Sequence, residues 1–412
     1  MRWRLHDGFT DGHARNDHVE ERAYGQANDR RQNDGNCVRH DCLSSDLAWP
    51  KGTWSKGTFV ELHGTDVDRL LTAVWQASGT DLLLTVGAPP VARVDGKLRP
   101  IDGEEPLDEA RINKVLGEVL DHRQSATLDS ELDVDFAFSW GGVARVRGSA
   151  FFQRSSPALA LRLIPDKIPT FDSLGMPPVV RRLAALQQGL VLFTGPTGSG
   201  KSTSLASLIE WINEHRACHV ITIEDPIEYV HHHRSAIISQ REVGLDTTSF
   251  ARALRAALRE DPDVVLVGEM RDIETIATAL TLAETGHVVF STLHTNDSAQ
   301  ALDRIVDVFP TERQAQIRLQ LSSVLTAVVA QRLVPKTDGG LTAAFEVLLA
   351  NSGVRNLIRE GKTRQLRNAI TMGKGEGMST LEESLTGLVA AGQISLSTAM
   401  EYALVPNEIA PH

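Results

Sequence analysis

Three features of the 412-residue chain predict an α/β fold in two modules. Short apolar runs alternate with helix-period segments through the second half, one such run meets a helix through a glycine-rich loop, and a proline-dense stretch sets this half apart from a smaller module upstream. At 42% apolar residues a chain of this length can bury a real core. The formal net charge of -11 argues against a constitutive electrostatic grip on DNA or RNA. Cys37, Cys42 and Cys218 form no CxxC pair, which points away from a disulfide framework or zinc ribbon and suits a reducing cytoplasm. No apolar run approaches the roughly 18 to 20 residues of a membrane span, and no hydrophobic signal core is present at the N-terminus. Membrane association is therefore expected only through partners.

Residues 1–64 read as a disordered extension, because their acids and bases balance and almost no apolar periodicity is present to offset chain entropy. An over-extended start accounts for them, and His6, His13, His18 and His40 are too irregularly spaced to suggest a metal site. Order begins with DVDRLLTAVWQA, which places Val67, Leu70, Leu71, Val74 and Trp75 on one face of a helix, with Asp66 as its cap. TDLLLTVG and PVARVDGKLRPI follow as short strands split at Gly87 to Pro90, and PLDEARINKVLGEVL is helical. VDFAFSW and VARVRGSAFFQR alternate apolar and polar residues about Gly141-Gly142, a hairpin pattern, and LALRLIP adds a strand. These make a small α/β module over 65–165.

IPDKIPTFDSLGMPP, with four prolines, marks a hinge at 166–178. The core that follows, 179–345, opens with a helix from Val179 to Leu186. GLVLFTG, HVITIED, DVVLVGE and HVVFSTLH are strands apolar enough for burial on both faces of a parallel sheet, and TSFARALRAALRE and DIETIATALTLAE are helices between them. After Gln331 the pattern turns largely helical, with GVRNLIREGK leading into a tail over 346–412.

The chemistry concentrates in GPTGSGKST: Gly195, Pro196, Thr197, Gly198, Ser199, Gly200, Lys201, Ser202 and Thr203. GxxxxGK[ST] between a strand and a helix is a phosphate loop, in which glycines turn backbone amides inward, the helix N-terminus adds positive charge, Lys201 meets the β and γ oxygens, and Ser202 ligates Mg²⁺. Hydrolysis needs a group that positions water, and Glu269 at the end of DVVLVGE is the candidate. The Asp that usually completes this strand motif is replaced by Gly268, so Mg²⁺ falls to Ser202, phosphate oxygens and water-mediated carboxylates, with Asp225 or Glu224 available. ITIEDPIEY sets Glu224, Asp225 and Glu228 at the crevice edge of its strand, where Glu228 or Glu224 can assist with water or metal. His294 in STLHTND occupies the same edge and reads as a γ-phosphate sensor. Consecutive histidines converge poorly on one ion, so His231, His232 and His233 are expected on a surface loop.

Four blocks in order, GPTGSGKST, ITIEDPIEY, LREDPDVVLVGEMRD and ETGHVVFSTLHTND, resemble the Walker A, Asp-box, atypical Walker B and His-box motifs of the secretion ATPases of type II secretion and type IV pilus systems. The likeness extends through VGAPPVARVDGKLRPI, GVARVRGSAFFQR, IPTFDSLGMPP and GVRNLIREGK, so it covers about Asp66 to the C-terminus, and it is strongest to the pilus retraction members. It implies a PAS-like N-terminal domain, a RecA-like P-loop ATPase domain, MgATP as substrate and a homo-hexamer. It also implies that N-domain arginines, here Arg145, Arg147 and Arg162, reach the phosphates, a task to which a planar, permanently charged guanidinium is suited. Two departures stand out: Leu83 replaces the histidine of DLHL, and Gly353 replaces the alanine of AIRNLIRE.

The function so implied is ATP-driven pilus retraction at the inner face of the cell membrane. The expected partners are an inner-membrane platform protein and a paralogous pilus ATPase. Extension or type II secretion motors are the nearest alternative; they commonly carry a four-cysteine zinc insertion that this chain lacks. An accessory retraction paralogue, a nucleotide-gated switch and a DNA translocase stay open, although Glu269 speaks against a switch and the acidic balance against a translocase.

Overall fold

Thr65 caps helix α1 (Asp66–Gln76), its hydroxyl accepting the Asp68 amide at 3.2 Å. The computed structural model describes residues 62–409 apart from Asp95, Gly142 and Asp166. The extension through residue 61, with His6, His13, His18, His40, Cys37 and Cys42, lies outside the described residues. Asp66 is thus the first helical residue rather than the cap. Its carboxylate accepts from Arg111 Nε at 2.6 Å, out of a second helix. Val67, Leu70, Leu71 and Val74 are buried as their spacing predicts, whereas Trp75 sits at the rim, 38% exposed, edge-on to Trp140.

Strands β1 (Asp81–Thr85), β2 (Val91–Val94) and β3 (Lys97–Pro100) are followed by helices α2 (Glu109–Val119) and α3 (His122–Glu131). Strands β4 (Asp133–Trp140), β5 (Ala144–Gln153) and β6 (Ser156–Pro165) complete an antiparallel sheet of order β3-β2-β1-β6-β5-β4. Alternation along its strands sends Leu82, Leu84, Val146, Ala150, Leu159 and Leu161 into one core with α1 and α2. The opposite face carries a cross-strand row, Arg147, Arg162, Asp81 and Arg93, one residue from each of β5, β6, β1 and β2. Helix α3 is not legible as an apolar stripe, since Leu128 is its one buried residue; a capping box between Asp121 and Gln124 starts it instead.

The second sheet uses β7 (Gly189–Thr194), α5 (Lys201–His215), β8 (His219–Glu224), β9 (Ile237–Glu242), α6 (Phe250–Ala257), β10 (Val264–Val267), α7 (Ile273–Glu284) and β11 (Val288–Leu293). It continues through α8 (Ser298–Asp307), α9 (Thr311–Val324), β12 (Leu325–Pro335) and β13 (Leu341–Leu349), and is preceded by the short α4 (Pro178–Leu183). The order is β13-β12-β7-β11-β10-β8-β9, parallel throughout except for the edge pair β12 and β13. Successive residues of each central strand feed opposite cores: Leu190 and Leu192 join α6 through α9, whereas Val191 and Phe193 join α4 and α5.

Two expectations need correction. Beyond Gln331 the chain is not yet helical: Gln331 lies mid-strand in β12, and β12 and β13 form a long hairpin that carries the sheet to Leu349. β9 (IISQRE) also went unread, because an edge strand with a polar face shows no apolar run. Helices α10 (Ser352–Arg359), α11 (Leu366–Met372), α12 (Leu381–Ala390) and α13 (Leu396–Tyr402) form the tail. Arg355 in α10 donates to the carbonyls of Ser322 and Ser323 at 2.6 Å each and of Ala350 at 2.9 Å, which ties the GVRNLIRE helix to the end of α9 and the exit of β13.

The Arg111 hydrogen bond, with help from Arg69, holds the Asp66 carboxyl at about 2, below its ordinary 3.8. A depressed folded value means that the pair stabilises fully above about pH 4 and is lost as pH falls through about 2. Asp66→Asn is expected to cost about 1–2 kcal/mol at pH 7, discounted for partial solvation. Urea unfolding at pH 7 and pH 3 checks this, with the difference between variants shrinking at the lower pH.

Candidate active site

The loop between β7 and α5 curls under a strand that leaves it no room for side chains. A Cβ on Gly195 (φ +149°) would fall 2.3 Å from the Gln331 carbonyl oxygen and 2.6 Å from Ser199 Oγ. Gly200 (φ +84°) precedes α5 in the left-handed region without a side-chain cap, so the first amides of α5 face the loop. Ser199 Oγ is buried with no hydrogen-bond partner. A cradle that a Cβ would fill, uncapped helix amides and an orphan hydroxyl together fit a phosphate group. Lys201 is buried, and its Nζ donates to the carbonyls of Gly195 at 2.9 Å and Pro196 at 3.0 Å. Burial pushes its pKa down, opposed by the nearby carboxylates of Glu269 and Glu228.

The loop opens onto a cavity of about 450 Å³ to which Thr197 through Thr203, Glu224, Asp225, Glu228, Glu269 and His294 all contribute. Three parallel strands deliver these acids and the histidine to one end of the sheet: β8 supplies Glu224, β10 Glu269 and β11 His294. Glu269 Oε1 lies 2.5 Å from Arg271 Nε and 3.4 Å from His294 Nε2, and the other ring nitrogen of His294 lies 3.4 Å from Thr197 Oγ1. The histidine therefore bridges Glu269 to Thr197 of the glycine-rich loop. Burial pushes the Glu224 carboxyl up, while hydrogen bonds from Thr222 (2.6 Å) and Gln240 (3.2 Å) pull it back. Thr203 and Tyr229 share a hydrogen bond at 3.0 Å across the cavity wall.

Gly268 has a steric reason. A Cβ there would lie 3.2 Å from the Ile223 carbonyl oxygen and 3.3 Å from Glu224 Cα, so β8 crowds the position that an Asp occupies in the usual motif. Ser202 is exposed beside Lys201, and Asp225 is exposed at the mouth. Among the described residues no cluster of three or more His, Cys, Asp or Glu side chains is arranged to hold a metal. A divalent ion here would lean on Ser202 and on oxygens of a bound phosphate, as Mg²⁺ commonly does.

The structure does not bring the three arginines to this cavity. Arg145 Nη2 pairs with Glu242 Oε2 of β9 at 2.9 Å, Arg162 Nε with Asp81 Oδ1 at 2.8 Å, and Arg147 is exposed opposite Arg162. The histidine triplet departs from a simple surface loop: His232 and His233 are exposed, but His231 is buried against α5 with Nδ1 2.9 Å from Glu210 Oε2. Sequence reasoning missed Gln331, whose buried side chain accepts the Ser204 hydroxyl at 2.8 Å while its carbonyl shapes the loop. A lone amide within TAVVAQRLV was the available signal.

The pattern of the Type II/IV secretion system protein family matches residues 134–389, from β4 of the first sheet through α12. The chain belongs to this family. It is 46% identical over 342 residues to the type IV pilus retraction ATPase PilT of Pseudomonas aeruginosa, spanning 83% of this chain and 99% of that protein. To the type IV pilus ATPase PilU of the same species it is 40% identical over 345 residues, 84% of this chain and 90% of that one. The crystal structure of the pilus retraction motor PilT with bound ADP matches at a TM-score of 0.78 and 46% identity, over 83% of this chain and 98% of the other. The family fold thus accounts for both sheets, and Glu224, Glu269 and His294 stand at or just beyond the ends of its parallel strands.

Gly268→Asp, which restores the usual acid, is expected to lower Tm by about 3–8 °C through overpacking against β8. Differential scanning fluorimetry measures this, and an unchanged Tm would mean that β8 yields without cost.

Proposed function

We propose that this chain is a hexameric ATPase motor that drives type IV pilus retraction, and with it twitching motility. The observation that carries the reading is the convergence of the phosphate loop, Glu269 and His294 on one cavity of a chain 46% identical to PilT. Gly195 to Thr203 cradle the phosphates of ATP. Lys201 swings from the Gly195 and Pro196 carbonyls onto the β and γ oxygens, a short move for a side chain already inside the loop. Ser202 and Asp225 would hold Mg²⁺, which would neutralise phosphate charge. Glu269 orients the attacking water, and His294, linked to both Glu269 and Thr197, reports the γ-phosphate. Of the two further acids, Glu228 is favoured over Glu224 as the partner of Glu269, because Glu224 is engaged by Thr222 and Gln240.

Arg145, Arg147 and Arg162 act only once the hinge closes. The division into 65–165, 166–178, 179–345 and 346–412 serves that motion, with the hinge between the two sheets. ATP contacts favour the closed arrangement and ADP supports it less, which is the differential affinity a motor requires. The ring works on an inner-membrane platform protein from the cytoplasmic side, as a peripheral component alongside a paralogous pilus ATPase. No helix among the described residues is long and apolar enough to cross a membrane. Retraction is preferred to extension or secretion because the chain has three cysteines rather than a four-cysteine insertion and carries GVRNLIRE as α10. The 40% identity to PilU supports an accessory retraction role as the second reading.

Glu269→Gln is expected to keep nucleotide affinity within about twofold and to lower kcat at least about a hundredfold. Retained hydrolysis would move the role to Glu228. In multi-angle light scattering with ATP the protein is expected at six times its 45.0 kDa chain mass, and a monomer at high concentration would overturn the ring.

A further inference from the structure

The loop from His294 to Asp297 carries the histidine that faces Glu269, and it is fastened to the sheet at both ends. One cross-strand row runs Leu293, Thr194, Ala330, Glu346 across β11, β7, β12 and β13. Thr194 holds the near end of the loop: its hydroxyl meets the Thr295 carbonyl at 2.7 Å and hydroxyl at 2.5 Å and accepts the Thr295 amide at 3.2 Å. Glu346 holds the far end. Its Oε1 accepts the Ser298 amide at 2.9 Å and the Ser298 hydroxyl at 2.7 Å. Only Asn296 and Asp297 separate those two anchor points on the loop.

Glu346 is an unusual residue for such a place. Its side chain is 3% exposed in the middle of a strand whose neighbours Phe345, Val347 and Leu348 are core residues. Burial pushes its carboxyl up, opposed by the Ser298 amide and hydroxyl. A cap for α8 does not require it, because Asp297 already caps that helix through the Gln300 amide at 2.8 Å. A buried carboxylate with two short hydrogen bonds to one serine costs desolvation that an apolar residue would avoid. Its position explains the cost, since it bonds the residue that closes the histidine loop.

We propose that Glu346 is a positioning residue for His294, clamping the histidine loop from β13 so that the imidazole stays between Glu269 and the phosphate loop. The proposal rests on reading the cavity as a site of ATP hydrolysis.

The test uses the full-length protein in wild-type, His294→Ala, Glu346→Ala, Glu346→Gln and double Ala forms. Glu346→Ala is expected to lower kcat about 10- to 100-fold with KM for MgATP within about twofold, the signature of a misplaced group rather than a lost binding contact. Glu346→Gln keeps an oxygen for both Ser298 donors and is expected to recover at least about a third of the wild-type rate. In the double variant, loss of Glu346 is expected to cost less than about twofold beyond His294→Ala, because the two act through one imidazole. Effects that multiply, or a KM that moves with kcat, would overturn the proposal. A second readout is independent of turnover: diethylpyrocarbonate labelling of His294, followed by mass spectrometry with exposed His232 as reference. Its rate is expected to rise about threefold or more in Glu346→Ala but not in Glu346→Gln. No change in either would overturn the clamp, whereas altered labelling in a protein without ATPase activity would uphold the clamp and sink the ATPase reading. If Glu346→Ala does not fold, Ser298→Ala removes one donor and is expected to show the same non-additivity with His294→Ala.

Discussion

The close passage of β12 beneath the phosphate loop is the constraint from which the rest of the site follows. The Gln331 carbonyl occupies the space into which a side chain at residue 195 would project, so only glycine lets the loop make its turn. With the loop held in that curve, its amides and the start of α5 face inward, Ser199 is buried without a partner, and Lys201 folds back onto the loop carbonyls. The Gln331 side chain completes the arrangement by taking the Ser204 hydroxyl, which fixes the first turn of α5 against the same strand. One strand thereby sets the shape of the loop and the angle of the helix behind it.

The hairpin that contains this strand extends its influence across the cavity. Thr194 at the end of β7 and Glu346 on β13 stand in one row, and between them they hold both ends of the loop that carries His294. Crowding by β8 at Gly268 has a parallel effect on the next strand over, because it disfavours a side chain there, next to Glu269 on the cavity wall. The acid, the histidine and the phosphate loop are thus placed by strands packed edge to edge, whose spacing tolerates little adjustment.

The first sheet stands in a different relation to the chemistry. Arg145 pairs with Glu242 and Arg162 with Asp81, not with groups of the cavity. Buried Arg145 Nε has no partner, so the guanidinium is held by one of its two edges.

Local chemistry was legible in the linear order of residues. Glycine spacing with lysine and a hydroxyl after an apolar run specifies a phosphate loop wherever it occurs, and apolar runs bounded by acids specify parallel strands ending at a crevice. Helix α1, the hairpin of β4 and β5 and the central strands β7, β8, β10 and β11 were read correctly on the same basis, since period and turn chemistry are properties of neighbours in sequence. The misses have a common cause. β9 is an edge strand with a polar face, the role of Gln331 depends on a loop more than a hundred residues earlier, and Glu346 meets Ser298 across a separation of 48 residues. Contacts of that span are decided by strand order and register, which no local pattern encodes. The residue types at the site were therefore determined by the sequence alone, while the partners that hold them in place were decided only when the sheet closed.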